Sequence, residues 1–370
     1  HFKNFTQGLF SLEGKSNKSG IRYNLKNNTL EWNKLIIPVK LNTKNNYEVN
    51  SLKNQIKYCR IKRIFVKNKY KYVLQLILEG NPPLKYNEDT GEIKHYLGNG
   101  KVGIDIGTQT IAYSGNTEIK LLELAPNIKD TEKEKRRLLR KLDRSRRDTN
   151  KDNYNEDGTI KKGIMINGKK EKLKWNKSKK YLKTLNKLKN IYRKQADVRR
   201  LDHNIMANEL IKLGNIFYVE DMNYKALQKR AKKTEKNEKG KFKKKKRFGK
   251  SLANKAPAMF LEILKNKLIF LGGEYEEVNT YKVKASQYNH LNDEYNKKKL
   301  SQRWNYFEYE GKELKIQRDL YSSYLIKNVN EDKESINKEL CNEGFENFIM
   351  LHNKEIERLS GFKNINSMGI

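Results

Sequence analysis

The sequence predicts an α/β protein in which strands of one sheet alternate with long basic helices. Residues 101–113 alternate apolar residues with small or polar ones, which is strand periodicity. Leucines at helical spacing follow in 131–147 and in 177–213, and a further apolar strand follows at 215–221. Strands separated by helices of this length are typical of an α/β sheet.

The first 100 residues are predicted to form short strands joined by turns. Apolar runs at 34–41, 59–66 and 71–78 are separated by turn residues, and Lys67–Asn68 is predicted to close a hairpin. A small antiparallel β-barrel is the expected product. Aromatic and basic residues alternate in it, which suits nucleic-acid binding, although solvated lysines on a half-buried sheet give the same pattern.

The chain carries a large excess of positive charge, with 80 Lys+Arg against 44 Asp+Glu and a net charge of +36 at pH 7. Self-repulsion of this size opposes a compact state unless a polyanion neutralises it, so the expected partner is nucleic acid. A membrane surface is the alternative. No run approaches the roughly 18 apolar residues of a spanning helix. The chain also opens without a signal-like segment, so we predict a cytoplasmic protein with no membrane partner.

Arginines concentrate on the predicted helix 131–147. Arginine binds phosphate through paired hydrogen bonds, and six arginines on one short helix exceed what solvation requires. Segment 229–250 is too charged to pack, so we expect a mobile loop that contacts phosphates. The predicted nucleic-acid contacts are Arg136, Arg137, Arg140, Arg144, Arg146, Arg147, Arg247 and Arg318.

Three acids stand in settings that suggest chemistry. Asp105 lies inside an otherwise apolar strand, Glu220 lies at the end of a later strand, and Asp319 lies near the start of a predicted helix, 316–329. Burying a carboxylate without a cation or hydrogen-bond partners costs several kcal/mol. The alternatives are a strand edge that faces water for Asp105 and a favourable position against the helix dipole for Asp319.

The order of these elements, three strands, a helix, a strand with an acid and a helix with an acid, is that of an RNase H-like fold. In that fold three carboxylates hold two divalent ions about 4 Å apart, which activate water and stabilise the leaving oxygen of a phosphodiester. Carboxylates suit Mg²⁺, so two Mg²⁺ ions are the predicted cofactors. The histidines are scattered, at His1, His95, His203, His290 and His352. Cys59 and Cys341 form no CxxC pair, so we expect no structural zinc.

Three motifs resemble the RuvC motifs of TnpB, the transposon-encoded RNA-guided DNA nucleases related to type V CRISPR effectors. They are Val-Gly-Ile-Asp-Ile-Gly around Asp105, Tyr-Val-Glu-Asp-Met-Asn around Glu220 and Gln-Arg-Asp-Leu-Tyr-Ser-Ser around Asp319. The resemblance covers 101–330 well and 1–100 more loosely. It implies a Mg²⁺-dependent endodeoxyribonuclease with guide RNA and target DNA as partners. Asp105 would bridge both ions, and Glu220 and Asp319 would each complete one ligand set.

The resemblance also implies a domain order. It is a wedge-like β-barrel at 1–100, a RuvC-like core with basic helical and Lys-rich insertions at 101–281, an insertion at 282–317, the third-motif helix at 318–335 and a polar helical tail at 336–370. The family usually carries a four-cysteine zinc ribbon at the insertion, but this insertion contains no cysteine. Family members also have a recognition domain before the barrel, and His1 in place of Met suggests a fragment or a processed chain.

Two other functions stay open. A nuclease-inactive RNA-guided DNA-binding protein or repressor would explain the missing cysteines, whereas retention of all three acids argues against it. A ribosome-like RNA-binding protein would explain the charge but predicts no ordered set of three acids. The guide RNA, the target-adjacent motif, the strand preference, the transposon or CRISPR context and the oligomeric state are not specified by the sequence.

Overall fold

The computed structural model describes residues 10–66, 69–163, 165–166, 169–170, 173–238, 240–243, 248–299 and 301–361, with the backbone alone at 165–166 and 169–170. The strands are β1 (Ser11–Glu13), β2 (Arg22–Asn24), β3 (Thr29–Trp32), β4 (Leu35–Pro38), β5 (Ile56–Val66), β6 (Lys69–Leu78), β7 (Lys101–Ile106), β8 (Thr110–Ser114), β9 (Ile119–Glu123), β10 (Met165–Ile166), β11 (Lys169–Lys170), β12 (Ile216–Glu220), β13 (Glu274–Val278), β14 (Tyr288–Asn289), β15 (Glu294–Tyr295), β16 (Trp304–Tyr309) and β17 (Lys312–Gln317). The helices are α1 (Asn46–Ser51), α2 (Glu132–Thr149), α3 (Lys179–Leu210), α4 (Tyr224–Leu227), α5 (Gly249–Lys255), α6 (Pro257–Leu271), α7 (Thr280–Val283), α8 (Arg318–Lys327) and α9 (Lys338–Ser360).

The chain divides into two units. The first contains His1–Asp89 and Lys129–Ala196, and the second contains Thr90–Ile128 and Asp197–Ile370. No helix in the described part of the chain is both long and apolar enough to cross a membrane.

The described strands of residues 10–78 form two three-stranded antiparallel sheets in place of the single barrel expected for this region. One sheet has the order β1-β5-β6 and the other β2-β3-β4. Their shared core contains Ile21, Leu30 and Cys59. The long hairpin of β5 and β6 is present as expected, but its predicted turn at 67–68 lies outside the described residues.

Helix α2 packs against the first half of α3 in the first unit. Leu138 and Leu142 of α2 are buried against Leu188 of α3, which is what their helical spacing predicts. The same helical spacing predicts Leu139 on this apolar side, but Leu139 is 47% exposed. The basic side chains of both helices therefore lie around a small leucine core.

The second unit is built on one mixed sheet with the strand order β13-β12-β7-β8-β9. Strand β12 runs parallel to both β7 and β13, whereas β7, β8 and β9 pair antiparallel. Val102, Ile104 and Ile106 pack on one face with the aliphatic side of α6 and the end of α3. On the other face lie α8 and α9, so the sheet is covered on both sides.

Two predicted elements have different bounds in the structure. Helical spacing predicts one helix over 253–271, but the structure has two, α5 and α6, because Ala256 has a left-handed φ of 45° directly before Pro257. The sequence also predicts a strand over 274–281, but it ends at Val278, after which Asn279 caps the short helix α7. Proline and a left-handed residue end regular structure locally, which helical spacing alone does not report.

Residues 282–317, which sequence patterns left unassigned, form two hairpins. Strands β14 and β15 pair, and β16 pairs with β17 over six residue pairs from Trp304↔Gln317 to Tyr309↔Lys312. The C-terminal helix α9, which was expected to be a polar tail, is partly buried. It buries Phe345 and Phe348 against Tyr324 of α8, so it belongs to the core of the second unit.

Candidate active site

The sheet register places two of the three predicted acids side by side. Val219 of β12 is paired with Ile104 of β7, and because these strands are parallel, Glu220 follows beside Asp105. Val219 and Ile104 both face the core beneath α6. Successive side chains on a strand alternate between faces, so Glu220 and Asp105 lie on the face that α8 covers.

Asp319 reaches this face from the first turn of α8. Gln317, which is fully buried, caps the helix by accepting a hydrogen bond from the Leu320 amide at 2.8 Å. The backbone amide of Gln317 donates to Nε2 of His352 at 3.0 Å, which fixes the end of β17. Helix α8 packs directly on β7 because Gly103 has no side chain. The start of α8 is therefore held against the strand that carries Asp105.

The three carboxylates act on one another electrostatically. Burial by the surrounding protein, followed by the charges of Glu220 and Asp319, raises the pKa of Asp105 well above its usual range. Burial and the charge of Asp319 raise the pKa of Glu220 to about 7. Like charges in a poorly solvated site oppose full ionisation, so the ionisation of Asp105 and of Glu220 depends on the neighbouring carboxylates.

Two arginines bind Asp319 in the structure. Arg318 donates from Nη2 to Oδ1 at 2.9 Å and Arg303 donates from Nη1 to Oδ2 at 3.2 Å. Both arginines flank the β16–β17 hairpin, and the Arg318 amide donates to the Arg303 carbonyl at 2.8 Å. Arg318 was predicted to contact nucleic acid because it stands beside Asp319 in the sequence. Arg303 was missed because only the pairing of β16 with β17 brings it to the site.

The donor set fits a divalent cation in chemistry and charge. Carboxylate oxygens are the ligands that Mg²⁺ prefers, and a cation would offset the burial and the neighbouring negative charges that raise the pKa of Asp105 and of Glu220. Among the described residues, however, no group of three His, Cys, Asp or Glu side chains is assembled as a metal-binding set. Both oxygens of Asp319 are bound by arginine instead. The fit therefore rests on Asp105 and Glu220, with Asp319 committed to its ion pairs.

A cleft of ≈180 Å³ opens beside Glu220, between α6 and the ends of β12 and β13. It is lined by Glu220, Asp221, Met222, Tyr224, Ala258, Leu261, Glu262, Lys265, Tyr275 and Glu277. Tyr224 is 8% exposed, and its hydroxyl has no hydrogen-bond partner among the described residues. Tyr224 was not among the predicted site residues, because an aromatic residue after a strand resembles ordinary core packing.

Four of the predicted nucleic-acid contacts line basic clefts in the first unit. A cleft of ≈650 Å³ lies between α2 and α3, and its lining includes Arg137 and Arg144. Lysines 180, 183 and 187 of α3 line the same cleft, and they share one helix face because they are three and four residues apart. Arg136 and Arg140 line a second cleft of ≈400 Å³ together with Arg137 and Arg144.

The remaining predicted contacts have other surroundings. Arg146 and Arg147 both bind Asp143, at 3.0 and 2.8 Å, and they stack on Trp175 and Tyr154. These two arginines therefore stabilise the end of α2 internally. Arg318 lies at the acids, as described above. Arg247 lies outside the described residues.

Comparisons with known proteins do not assign a family. No model of a protein family matches the chain, and no curated protein matches it. One solved structure that matches is described as "Cryo-EM structure of CRISPR-Cas12f Ternary Complex". It has a TM-score of 0.31 and 14% sequence identity, over 80% of this chain and 50% of that chain. The chain thus spans about half the length of that protein, and a similarity of this size assigns neither a family nor a function.

Proposed function

We propose that this protein is an RNA-guided DNA endonuclease that hydrolyses phosphodiester bonds at a RuvC-like site, as in the TnpB proteins that its motifs resemble. The observation that carries the proposal is the register that sets Glu220 beside Asp105 on the face of the sheet covered by α8, the helix that carries Asp319. A protein that only binds phosphate has no need of neighbouring carboxylates, because they weaken its attraction for a polyanion. Carboxylates that hold divalent cations beside a phosphate are what cation-assisted hydrolysis requires.

The residues of the chain have distinct roles in this function. Asp105 and Glu220, fixed by adjacent parallel strands, would hold the cations, and Asp319 would join them from α8. Two bound Mg²⁺ ions would supply the Lewis acidity that activates water and stabilises the leaving oxygen. Arg303 and Arg318 restrain Asp319 and present cationic groups next to the acids. A substrate phosphate would meet these guanidinium groups, which bind it through charge-assisted hydrogen bonds.

Guide RNA and target DNA are the proposed partners. The net charge of +36 and the basic clefts on α2 and α3 support a nucleic-acid partner of considerable length. We assign the two sheets within 1–100 to a wedge-like domain and 101–281 to a RuvC-like core with its insertions. The hairpins of 282–317 would take the place of a zinc ribbon, followed by the third-motif helix within 318–335 and the helical tail 336–370.

A second function, RNA-guided DNA binding without cleavage, is favoured by one observation. Both oxygens of Asp319 are occupied by Arg303 and Arg318, which leaves the third acid neutralised by protein. If these ion pairs persist when nucleic acid is bound, Asp319 is not available to a cation. The protein would then bind without cutting.

Cleavage by the protein purified with its own RNA tests the two functions. Single- and double-stranded DNA are offered with Mg²⁺ and with EDTA, and Asp105→Ala is compared with Asp148→Ala, which removes an exposed acid of α2. We expect Mg²⁺-dependent cutting that Asp105→Ala abolishes and Asp148→Ala retains, while RNA binding is unchanged in both variants. Tight RNA binding without cutting in any metal would support the second function, and equal loss of binding and cutting in Asp105→Ala would refute the role of Asp105.

A further inference from the structure

Tyr224 occupies a well-fixed position after β12. The Asp221 amide donates to the Val278 carbonyl at 3.2 Å, and the Asp221 carbonyl accepts from the Thr280 hydroxyl at 3.0 Å. Asn223 caps α4 by accepting from the Ala226 amide at 3.0 Å. The backbone on both sides of Tyr224 is thereby restrained, and its ring is held with 8% of the residue exposed.

The hydroxyl of Tyr224 is one of several buried side-chain polar atoms in the described part of the chain that have no hydrogen-bond partner, and among these residues Tyr224 is the one that lines the cleft beside Glu220. An unsatisfied buried hydroxyl destabilises a fold, so such groups are rare and their positions call for an explanation. A phenylalanine would fill the same space without that cost. The hydroxyl therefore adds nothing to the packing that holds this loop.

The surroundings of Tyr224 point to what the hydroxyl can bind. Its side chain lines the ≈180 Å³ cleft with Glu220 and Tyr275, and it lies within the electrostatic field of both Asp105 and Glu220. It is thus close to the acids without donating to them. A phenol hydroxyl can donate a hydrogen bond as well as accept one.

A hydrogen-bond donor stabilises a phosphodiester that is bound beside carboxylates. The oxygens of Asp105 and Glu220 are acceptors and repel a phosphate group. The guanidinium groups near the acids come from the hairpin side, through Arg303 and Arg318, and both act on Asp319. On the β12 side, Tyr224 supplies a neutral donor that the described protein groups leave available.

We propose that the Tyr224 hydroxyl donates a hydrogen bond to a non-bridging phosphate oxygen of the nucleic acid bound at the three acids, and so positions the phosphodiester next to Glu220. This inference rests on the proposed function, since it names the contact that the same site makes with its substrate. Tyr224 is then a substrate-contacting residue on the strand side of the site, opposite the two arginines of the hairpin.

The test compares Tyr224→Phe with Tyr281→Phe, which removes the hydroxyl of an exposed tyrosine outside the cleft. One hydrogen bond to a charged phosphate corresponds to a rate effect of roughly tenfold to 100-fold. We expect Tyr224→Phe to slow single-turnover cleavage by that factor and Tyr281→Phe to change it less than about twofold. The guanidinium midpoint of Tyr224→Phe should equal or exceed that of the wild type, because the hydroxyl has no partner in the fold.

A binding measurement without catalysis separates this proposal from the proposed function. A DNA oligonucleotide is titrated in Ca²⁺ against the same purified wild-type and variant proteins, and we expect about tenfold weaker binding for Tyr224→Phe alone. If the wild type binds but never cuts, the nuclease function fails while the Tyr224 contact is still decided by this titration. The proposal would be overturned if Tyr224→Phe bound and cut DNA as well as the wild type does, because the hydroxyl would then be hydrated. It would also be overturned if Tyr224→Phe were less stable than the wild type, because the hydroxyl would then have a structural role.

Discussion

Replacement of Gly103 by alanine should dislodge α8 from the sheet. A Cβ atom at Gly103 would lie 2.1 Å from the Ser323 carbonyl oxygen and 2.3 Å from the Lys327 amide nitrogen. Ordinary van der Waals contacts of a Cβ begin at about 3.4 Å, so helix and strand would have to separate by more than about 1 Å. Both obstacles are backbone atoms, which a rotamer change cannot move.

The loss of stability depends on whether the new Cβ atom overlaps with side chains or with backbone atoms. Overpacking that side chains can absorb costs typically about 1–3 kcal/mol, and a backbone overlap lies at or above the upper end. We expect Gly103→Ala to lower the free energy of unfolding of the second unit by about 3 kcal/mol or more. Because α8 carries Asp319, the same shift would also move this acid away from Asp105. Cleavage should therefore fall even at temperatures where the variant stays folded.

The assay is guanidinium unfolding followed by circular dichroism, combined with hydrogen exchange of the α8 amides measured by mass spectrometry. Gly107→Ala is the matched control, since its Cβ would meet nothing closer than the Thr110 hydroxyl oxygen at 3.6 Å. We expect faster exchange in α8 for Gly103→Ala and little change for Gly107→Ala. Equal midpoints and equal α8 exchange in the two variants would refute the close packing of α8 on β7.

Two further predictions concern pH and salt. Burial, together with the charge of Lys338, lowers the pKa of His290 to about 4, so the folded state favours the neutral ring. Its contribution to stability is complete above the unfolded pKa of about 6.5 and is lost as the pH falls towards 4, by on the order of 3 kcal/mol. Unfolding free energies measured from pH 7 to 4 should therefore decrease less steeply in His290→Asn, and equal slopes would contradict the buried neutral ring. Lysines 180, 183 and 187 are replaced together by alanine, and binding of single-stranded RNA is measured at several salt concentrations. The slope of the logarithm of the binding constant against the logarithm of the salt concentration should become less negative by about 2. The same number of alanines at the exposed lysines 284, 312 and 354 is the control, and equal slopes would show that the α2–α3 cleft does not contact phosphates.

Local periodicity predicted the longer helices and the strands that carry Asp105 and Glu220. Helix α2 begins at Glu132 and ends at Thr149, close to the predicted 131–147, and α3 covers most of the predicted 177–213. Two predictions that needed more than local pattern differed from the structure. The N-terminal strands form two sheets because strand pairing depends on long-range register, which alternation does not specify. Helix α9 packs against the core because its phenylalanines meet the aromatic rings of α8, and a largely polar sequence did not reveal this.

The candidate site shows the same division. The sequence predicted Asp105, Glu220 and Asp319 as site residues because each acid stands out against its own strand or helix, and that assignment stays a prediction. Arg303 and Tyr224 carried no such signal, since an arginine is ordinary in a chain with 80 Lys+Arg and a tyrosine is ordinary after a strand. Their significance depends on neighbours far away in the chain. The pairing of β16 with β17 brings Arg303 to Asp319, and the packing beside β12 buries the Tyr224 hydroxyl.

The sequence by itself determined the charge of the protein, the positions of its acids and the local elements that carry them, because these follow from composition and from periodicities of two and 3.6 residues. Only the tertiary structure decided which side chains meet. The parallel register of β7 and β12 sets Glu220 beside Asp105, and the missing side chain of Gly103 lets α8 approach. Contacts of this kind depend on shape complementarity between distant segments, and that information is present only once the chain has folded.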